Sequence, residues 1–392
     1  MDREQYLGRV RALVPALRER ALACEALRRL PDETLEDFQA NGLLRALQPK
    51  SFGGFELDPW TFYQGVMEVS SACASSGWVL GVVGVHDWQL GLFAEEAQRD
   101  VWGEDTSVQI SSSYAPTGKA ERVAGGFRLS GRWSFSSGCD LCDWVFLGAV
   151  APGDEPVPDV RTFLLPRRDY VIDDNWRVSG LCGTGSKDIV VGDAFVPEYR
   201  THRMVDGFRC KSPGQSLNGG PLYRLSFGCM FSNAIAVPAI GAARGALELF
   251  RTQTRSRVSP LDRSKIAEDP AVQSRVADAA AEIDAAYAAL ERDWRELWAY
   301  AEAGAGIPLP PRVRCRADSS RAVARCVRAV DRLFEAAGGR AIFLDNPLQR
   351  VFRDVHAMRA HAFLNPDKGA RLFGRFDLAP ESPPSDPADL LI

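Results

Sequence analysis

The period of the apolar positions changes twice along the chain. From Arg3 to about Val101 apolar residues recur every three or four positions, the spacing of helices with one buried face. Within this zone PDETLEDFQANGLL predicts a helix with acidic residues in its first turn, where carboxylates complement the helix dipole. The segment SSACASSGWVLGVVGVHDWQLGLF is apolar on nearly every side and carries His86, so it predicts a buried helix that lines something. From about Thr106 short runs rich in β-branched and aromatic residues take over: SVQISSSYAP, GGFRLSGRWSFSSG, DWVFLGAVAP, VRTFLLPR and DIVVGDAFVP, separated by Gly, Pro and Asp. They predict a small antiparallel β-domain of roughly 110 residues. Beyond Pro221 the helical period returns in FSNAIAVPAIGAARGALELFRTQTRSRV, in the alanine-rich stretch that begins at Asp269-Pro270, and in SSRAVARCVRAVDRLFEAAGG. The chain is therefore expected to be mainly α with a central β-domain. An N-terminal helical domain spans 1–105, the β-domain 106–215 and a C-terminal helical bundle 216–378; a Pro-, Ser- and Asp-rich tail, 379–392, is expected to be loosely held.

Composition narrows the function. The 392 residues are 46% hydrophobic, which suits two or three units with a large core. With 47 basic and 51 acidic residues the net charge is −4, so no nucleic-acid surface is advertised and a small-molecule ligand is expected. Nine cysteines, an odd number in an otherwise ordinary composition, argue for free thiols in a reducing compartment. The opening MDREQYLGRVRALVPALRER reads as a charged amphipathic helix rather than a secretory signal, and no run approaches the ~18 apolar residues of a membrane span. A cytoplasmic protein without a membrane partner is the expectation.

Candidate chemistry is sparse. His356 and His361 stand five apart in RDVHAMRAHAFLN, which on a helix turns one imidazole about 140° from the other, so they do not share a metal ion and none is expected. Cys139 and Cys142 have the spacing of a redox or metal pair but lack the context of either, and read as ordinary, partly buried thiols. Gly183-Thr184-Gly185-Ser186 is followed by a strand rather than a helix, which excludes a phosphate-binding Walker loop; it is either a plain turn or one whose amides and hydroxyls touch a ligand. Arg251, Arg255 and Arg257 crowd one helix end, more cations than the dipole requires, and one is a candidate for an anionic ligand group. Ser111, Ser112, Ser113, Ser134, Ser136 and Ser137 cluster among the strands without a nucleophile elbow, so they suit hydrogen bonding to a polar ring edge better than covalent catalysis.

Together SSSYAPTGKAERVAGGFRLSGRWSFSSGCDLCDWVFLGA, GLCGTGSKDIVVGDAFVP and GGRAIFLDNPLQRVFRDVHAMRAHAFLN resemble the oxygenase components of two-component flavin-dependent monooxygenases, a group that includes p-hydroxyphenylacetate 3-hydroxylase and a steroid-pathway 4-hydroxylase. The resemblance spans essentially the whole chain and implies the acyl-CoA dehydrogenase fold. It further implies reduced flavin, FMNH2 or FADH2, delivered by a separate NAD(P)H:flavin reductase. With O2 as co-substrate and a C4a-hydroperoxyflavin as intermediate, a small phenolic or other aromatic substrate is then hydroxylated ortho to its hydroxyl. The chain has no nicotinamide-binding fingerprint of its own, which agrees with external supply.

By the same resemblance the glutamate base of the dehydrogenases falls on Ala362, and His361 beside it matches a histidine placed near the flavin ring. Ser137 matches the hydroxyl at flavin N5, with Ser136 as the alternative one position away, and Thr184 and Ser186 are cofactor-binding candidates. His86 and Ser112 match a pair that holds a phenol oxygen; with an ordinary pKa near ~6.5 His86 would help ionise it. Arg257 matches an arginine that reaches the cofactor phosphates of a neighbouring subunit, which implies an oligomer, commonly a homotetramer, while His356 is assigned a structural place. Two positions depart from the pattern: Cys182 stands where relatives often have arginine, and Leu141 where the steroid hydroxylases tend to have histidine. The alternative reactions are N-oxygenation of an amine or amino sugar and acyl-CoA dehydrogenation; the non-enzymatic alternative is a flavin-binding protein that consumes no oxygen.

Overall fold

The computed structural model describes residues 1–153, 158–260 and 262–381, so the expectation of a loosely held tail falls, from residue 382 onward, outside the described residues. Five helices come first. α1 (Arg3–Leu27) starts at Asp2, whose carboxylate accepts from the Gln5 amide while the Gln5 side chain accepts from the Asp2 amide, a reciprocal cap. α2 (Asp32–Ala40) follows, then α3 (Pro59–Ala72), capped by Asp58 with Pro59 in its first turn. α4 (Ala74–Leu90) is the apolar segment of the sequence, and all 17 of its residues are buried. α5 (Glu95–Trp102) completes the group.

Seven strands form one sheet: β1 (Ile110–Val123), β2 (Gly126–Ser136), β3 (Trp144–Ala151), β4 (Asp159–Pro166), β5 (Val171–Asp173), β6 (Lys187–Pro197) and β7 (Thr201–Arg203), in the order β5-β6-β2-β1-β3-β4-β7. The short β5 and β7 were not legible as strands, because three residues are too few to show alternation. The expected antiparallel pairing holds in every pair but one, since β1 and β3 run parallel. The cause is topological: the β1–β2 hairpin returns the chain to the end where β1 began, and the link at 137–143 carries it across to the other edge of β1.

After α6 (Met204–Arg209) come α7 (Phe227–Arg255), α8 (Pro270–Glu302), α9 (Leu309–Ala337), α10 (Pro347–Arg359) and α11 (Pro366–Leu378). Asp269 caps α8 by accepting from the Ala271 amide, as its Asp-Pro start predicts. α7 packs between α3 and α4 on one side and α9 on the other, and α4 also rests on β1. One continuous apolar core runs through these helices. The place where α4, β1 and the start of α7 meet is where buried polar groups collect.

α10 stops at Arg359, which corrects the picture of RDVHAMRAHAFLN as a single helix. His356 lies on α10 and pairs with Asp331 at 2.9 Å, whereas His361 caps the 3-10 turn that follows. The two imidazoles diverge because the helix ends between them.

Candidate active site

β2 ends in a bulge. Its register against β6 shifts between Trp133 and Ser136, and Phe135 takes a left-handed φ of 69°, which redirects the residues after it. Gly138 follows at φ 70°; a Cβ there would lie 3.0 Å from Val79, so glycine lets this strand end close on α4. The result is a buried chain of hydroxyls. The Trp78 indole donates to Ser137 Oγ at 3.1 Å, Ser137 Oγ and Ser186 Oγ are 2.8 Å apart, and Ser186 Oγ and Thr184 Oγ1 are 2.7 Å apart. Thr184 Oγ1 in turn donates to the Leu181 carbonyl at 2.9 Å. Adjacent Ser136 is buried too, but its hydroxyl has no partner among the described residues, as expected when neighbours on a strand point to opposite sides.

Across Trp78, at 6.0 Å between ring centres, lies His361. Its Nδ1 accepts from the Phe363 amide at 3.2 Å, which assigns the ring proton to Nε2. Burial, and then the nearby Arg316 cation, push its pKa down to about 4, so the ring is neutral at pH 7 and presents one N–H as a donor.

His86, fully buried on α4, is the second polar centre. Its Nδ1 lies 2.6 Å from the Ile110 carbonyl on β1 and must be the protonated nitrogen, which leaves Nε2 as a lone-pair acceptor with no partner among the described residues. Burial pushes its pKa down to about 4, which corrects the expected value near ~6.5: charging this ring without a counter-charge is costly. Ser112 stands two positions along β1 from Ile110 and interacts with the Tyr114 hydroxyl, which itself donates to Gln89. No hydrogen bond joins Ser112 to His86; Tyr114, 6.0 Å from the His86 ring, lies beside both. Tyr114 continues to Phe231 at 5.0 Å, and Phe231 to His361 at 6.3 Å, so an aromatic wall connects the two centres.

The chain matches the family model for the acyl-CoA dehydrogenase N-terminal domain over residues 2–106 and that for the C-terminal domain over residues 233–366. It is 42% identical over 369 residues to the flavin-dependent monooxygenase oxygenase subunit HsaA of Rhodococcus jostii, covering 94% of this chain and 97% of that one. It is similar, at 35% identity over 95% of this chain and 93% of the other, to the oxygenase component of the FADH(2)-dependent resorcinol hydroxylase of a Rhizobium species. The crystal structure of the HsaA monooxygenase from M. tuberculosis superposes with a TM-score of 0.94 at 40% identity, covering 100% of both chains. The chain belongs to the oxygenase components of the flavin-dependent monooxygenases.

In this oxygenase, then, the structure brings His361, Ser137, Thr184 and Ser186 together around Trp78, and His86 and Ser112 around Tyr114. Arg257 is elsewhere. It follows the far end of α7, where its guanidinium meets the Ala336 carbonyl at 3.5 Å, and it lines a cavity of about 300 Å³ with Arg340, Gln253 and Asn346. Arg251 and Arg255 are exposed on the last turns of the helix. Cys139 and Cys142 are free and buried rather than partly so, Cys139 within the core of the sheet and Cys142 within that of the helices. Among the described residues no group of His, Cys, Asp or Glu has the geometry to hold a metal ion, and no helix is long and apolar enough to cross a membrane.

Trp78, Tyr114, Phe231 and Arg316 were missed from sequence. Trp78 lies in the segment predicted to line something, which was a usable signal. Arg316 is one arginine among several in PPRVRCRADSSR, and only the packing of α9 separates it, buried, from its half-buried neighbours.

Proposed function

We propose that this oxygenase takes up reduced flavin released by a separate NAD(P)H:flavin reductase and uses O2 to hydroxylate a phenol ortho to its hydroxyl. The observation that carries this reading is the neutral His361, with a free Nε2–H, beside an exposed alanine, Ala362, at the position where a dehydrogenase of this fold would need a carboxylate base. Bound flavin supplies the two electrons with which one oxygen atom of O2 enters the ring and the other leaves as water. The residues present fit such a group: Trp78, Ser137, Ser186, Thr184 and His361 form a dry polar cradle, and FMN and FAD would offer it the same ring system. The hydroxyl chain holds the Ser137 proton in one orientation, and His361 donates where negative charge develops. Phe231, Tyr114 and Phe363 exclude water, which favours transfer to substrate over release of peroxide.

His86 accepts the substrate hydroxyl on Nε2, with Ser112 alongside. Its low pKa makes it an acceptor that aligns and polarises the O–H bond rather than a base that keeps the proton. Arg257 serves the phosphates of a neighbouring subunit's flavin in a homotetramer, because α7 puts it too far from the ring site of its own chain. Nine free cysteines support a cytoplasmic setting.

The test is turnover with chemically reduced flavin and O2 over a panel of phenols and amines, measuring hydroxylated product and hydrogen peroxide separately. A phenol is expected to yield a catechol, and His86→Ala to lose about 10- to 100-fold of that product, the worth of one or two positioning hydrogen bonds, with peroxide rising in its place. Turnover of amines alone, unaffected by His86→Ala, would make this an N-oxygenase instead.

A further inference from the structure

Two buried thiols meet beneath the hydroxyl chain. Cys24 lies on the inner face of α1 and Cys73 at the junction where α3 ends and α4 begins; they are 1% and 5% exposed, and both are free. α1 packs against α3, against α4 and against the 3-10 turn Cys182–Thr184, which brings these distant positions together. Cys24 Sγ donates to the Gly183 carbonyl at 3.7 Å, and it also makes a side-chain hydrogen bond with Cys73. Its single proton thus has two acceptors, the carbonyl of the turn and the Cys73 sulfur.

The two sulfurs are not equivalent. The hydrogen bond from Cys24 lowers the Cys73 pKa to about 6 against the opposing effect of burial, and Ser76, at the start of α4, and the Arg350 cation act in the same direction. The same contact, together with burial, pushes Cys24 well above the ordinary thiol value. Cys73 therefore has thiolate character at neutral pH while Cys24 keeps its proton, the asymmetry of a nucleophilic thiol beside a resolving one. Their place gives the pair something to act on. A Cβ on Gly183 would lie 2.3 Å from Cys24 Sγ, so the turn rests directly on that sulfur, and its next residues include Thr184 and Ser186 of the hydroxyl chain. Cys73 begins the helix that carries Trp78, the donor to Ser137. An S–S bond would shorten the sulfur separation to about 2.05 Å and remove the Cys24 proton from the Gly183 carbonyl.

We propose that Cys24 and Cys73 form a peroxide-sensitive dithiol whose oxidation to a disulfide weakens the binding of reduced flavin at the 181–186 turn. The oxidant is hydrogen peroxide, released when oxygen is reduced but not transferred to substrate. The Cys73 thiolate attacks one peroxide oxygen; the O–O bond breaks, the departing hydroxide takes up a proton as water, and Cys73 is left as a sulfenic acid. The Cys24 sulfur then attacks the Cys73 sulfur; the S–S bond forms, the S–O bond breaks, and a second water leaves with the Cys24 proton. Two thiols lose two electrons and two protons, and one peroxide becomes two waters. An oxygenase that wastes reduced flavin then takes up less of it until a dithiol reduces the bond. The effect on flavin rests on the reading of the turn as part of the flavin cradle; the bond rests on the two sulfurs alone.

The experiment exposes the full-length protein to dilute hydrogen peroxide, or to peroxide made in place by reduced flavin and O2 without substrate, and then removes the peroxide. Peptide mass spectrometry without reductant is expected to find Cys24 joined to Cys73, two hydrogens lighter than the separate thiols. Anaerobic titration with photoreduced flavin should show affinity weakened ~10-fold, and dithiothreitol should reverse both changes. Cys73→Ser, whose side chain suits the N-cap of α4, is expected to bind reduced flavin as the wild type does and to be indifferent to peroxide. Oxidation confined to Cys182 and Cys210, the more exposed thiols, overturns the proposal, and that result requires no variant to fold. So does a loss of flavin affinity that persists in Cys73→Ser or that dithiothreitol fails to reverse. A Cys24–Cys73 bond that leaves flavin affinity unchanged overturns it as well, and Thr184→Ala and Ser186→Ala in untreated protein then locate the failure. Unchanged flavin affinity in those variants means that the cradle reading is wrong; weakened affinity means that the turn holds flavin but does not respond to the thiols.

Discussion

Ser136 and Ser137 show how much one backbone angle decides. They are the same residue type, adjacent, and both buried, yet only Ser137 is tied to Trp78 and Ser186. The left-handed Phe135 and the bulge around it make the difference, and nothing in SFSSG announces them. If the Ser137 hydroxyl is the one that meets the flavin, Ser137→Ala should raise the peroxide released per O2 consumed several-fold, corresponding to about 1 kcal/mol for one hydrogen bond, with little change in flavin affinity. Ser136→Ala should leave that ratio as it is; the reverse result would move the assignment by one residue. His86 makes a related point. Its presence in a buried helix was legible, but its tautomer and its low pKa follow from the Ile110 carbonyl and from burial, which are properties of the packing.

At the scale of elements, the turn 181–186 is held to α10 by one buried carboxylate. Asp354 Oδ1 accepts from the Leu181 amide at 2.6 Å, and Leu181 itself adopts φ 55°, a conformation that needs such an anchor. The turn is also close-packed below, since a Cβ on Gly183 would lie 2.3 Å from Cys24 Sγ. Burial raises the Asp354 pKa to about 7, so the folded protein holds this proton over a range where the unfolded chain, with a pKa near ~3.9, has lost it. The associated stability is therefore fully present below pH ~4 and is lost as the pH rises through about 7. Asp354→Asn does not titrate. Its stability relative to wild type, from urea unfolding midpoints, should be lowest near pH 4 and rise by up to a few kcal/mol towards pH 8. A difference independent of pH would show that the carboxyl is already ionised throughout. The turn itself was legible from Gly-Thr-Gly-Ser before a strand; its fastening was not, because Leu181 and Asp354 are far apart in sequence.

For the whole molecule, the length of α7 sets the terms. Phe231 lies near its start and Arg255 at its end, about 36 Å apart along the axis at ~1.5 Å per residue. That length sets the Arg257 and Arg340 cavity well away from Ser137 and His361, the separation on which the proposed sharing of a flavin between subunits rests. Arg257→Ala is accordingly expected to weaken reduced FAD by about 10-fold, the worth of a charge-assisted phosphate contact, and reduced FMN much less. Anaerobic titration with both flavins measures this, alongside sedimentation to confirm that the assembly is unchanged. Equal losses for the two flavins would remove Arg257 from the adenylate side.

The sequence by itself determined the order of the architecture, helices then strands then helices, because apolar period is a local property that three or four turns of chain suffice to display. Its motifs also identified the family. The tertiary structure alone decided the parallel β1–β3 pair, the different hydrogen bonding of Ser137 and Ser136, the break between His356 and His361, and the surroundings of Arg316. Each depends on what lies opposite a residue in space. Arg314 and Arg316 are the same residue type two positions apart, and they differ because the fold pairs Arg314 with Asp293 and Glu296 and sets Arg316 over Phe363 with no ion pair among the described residues.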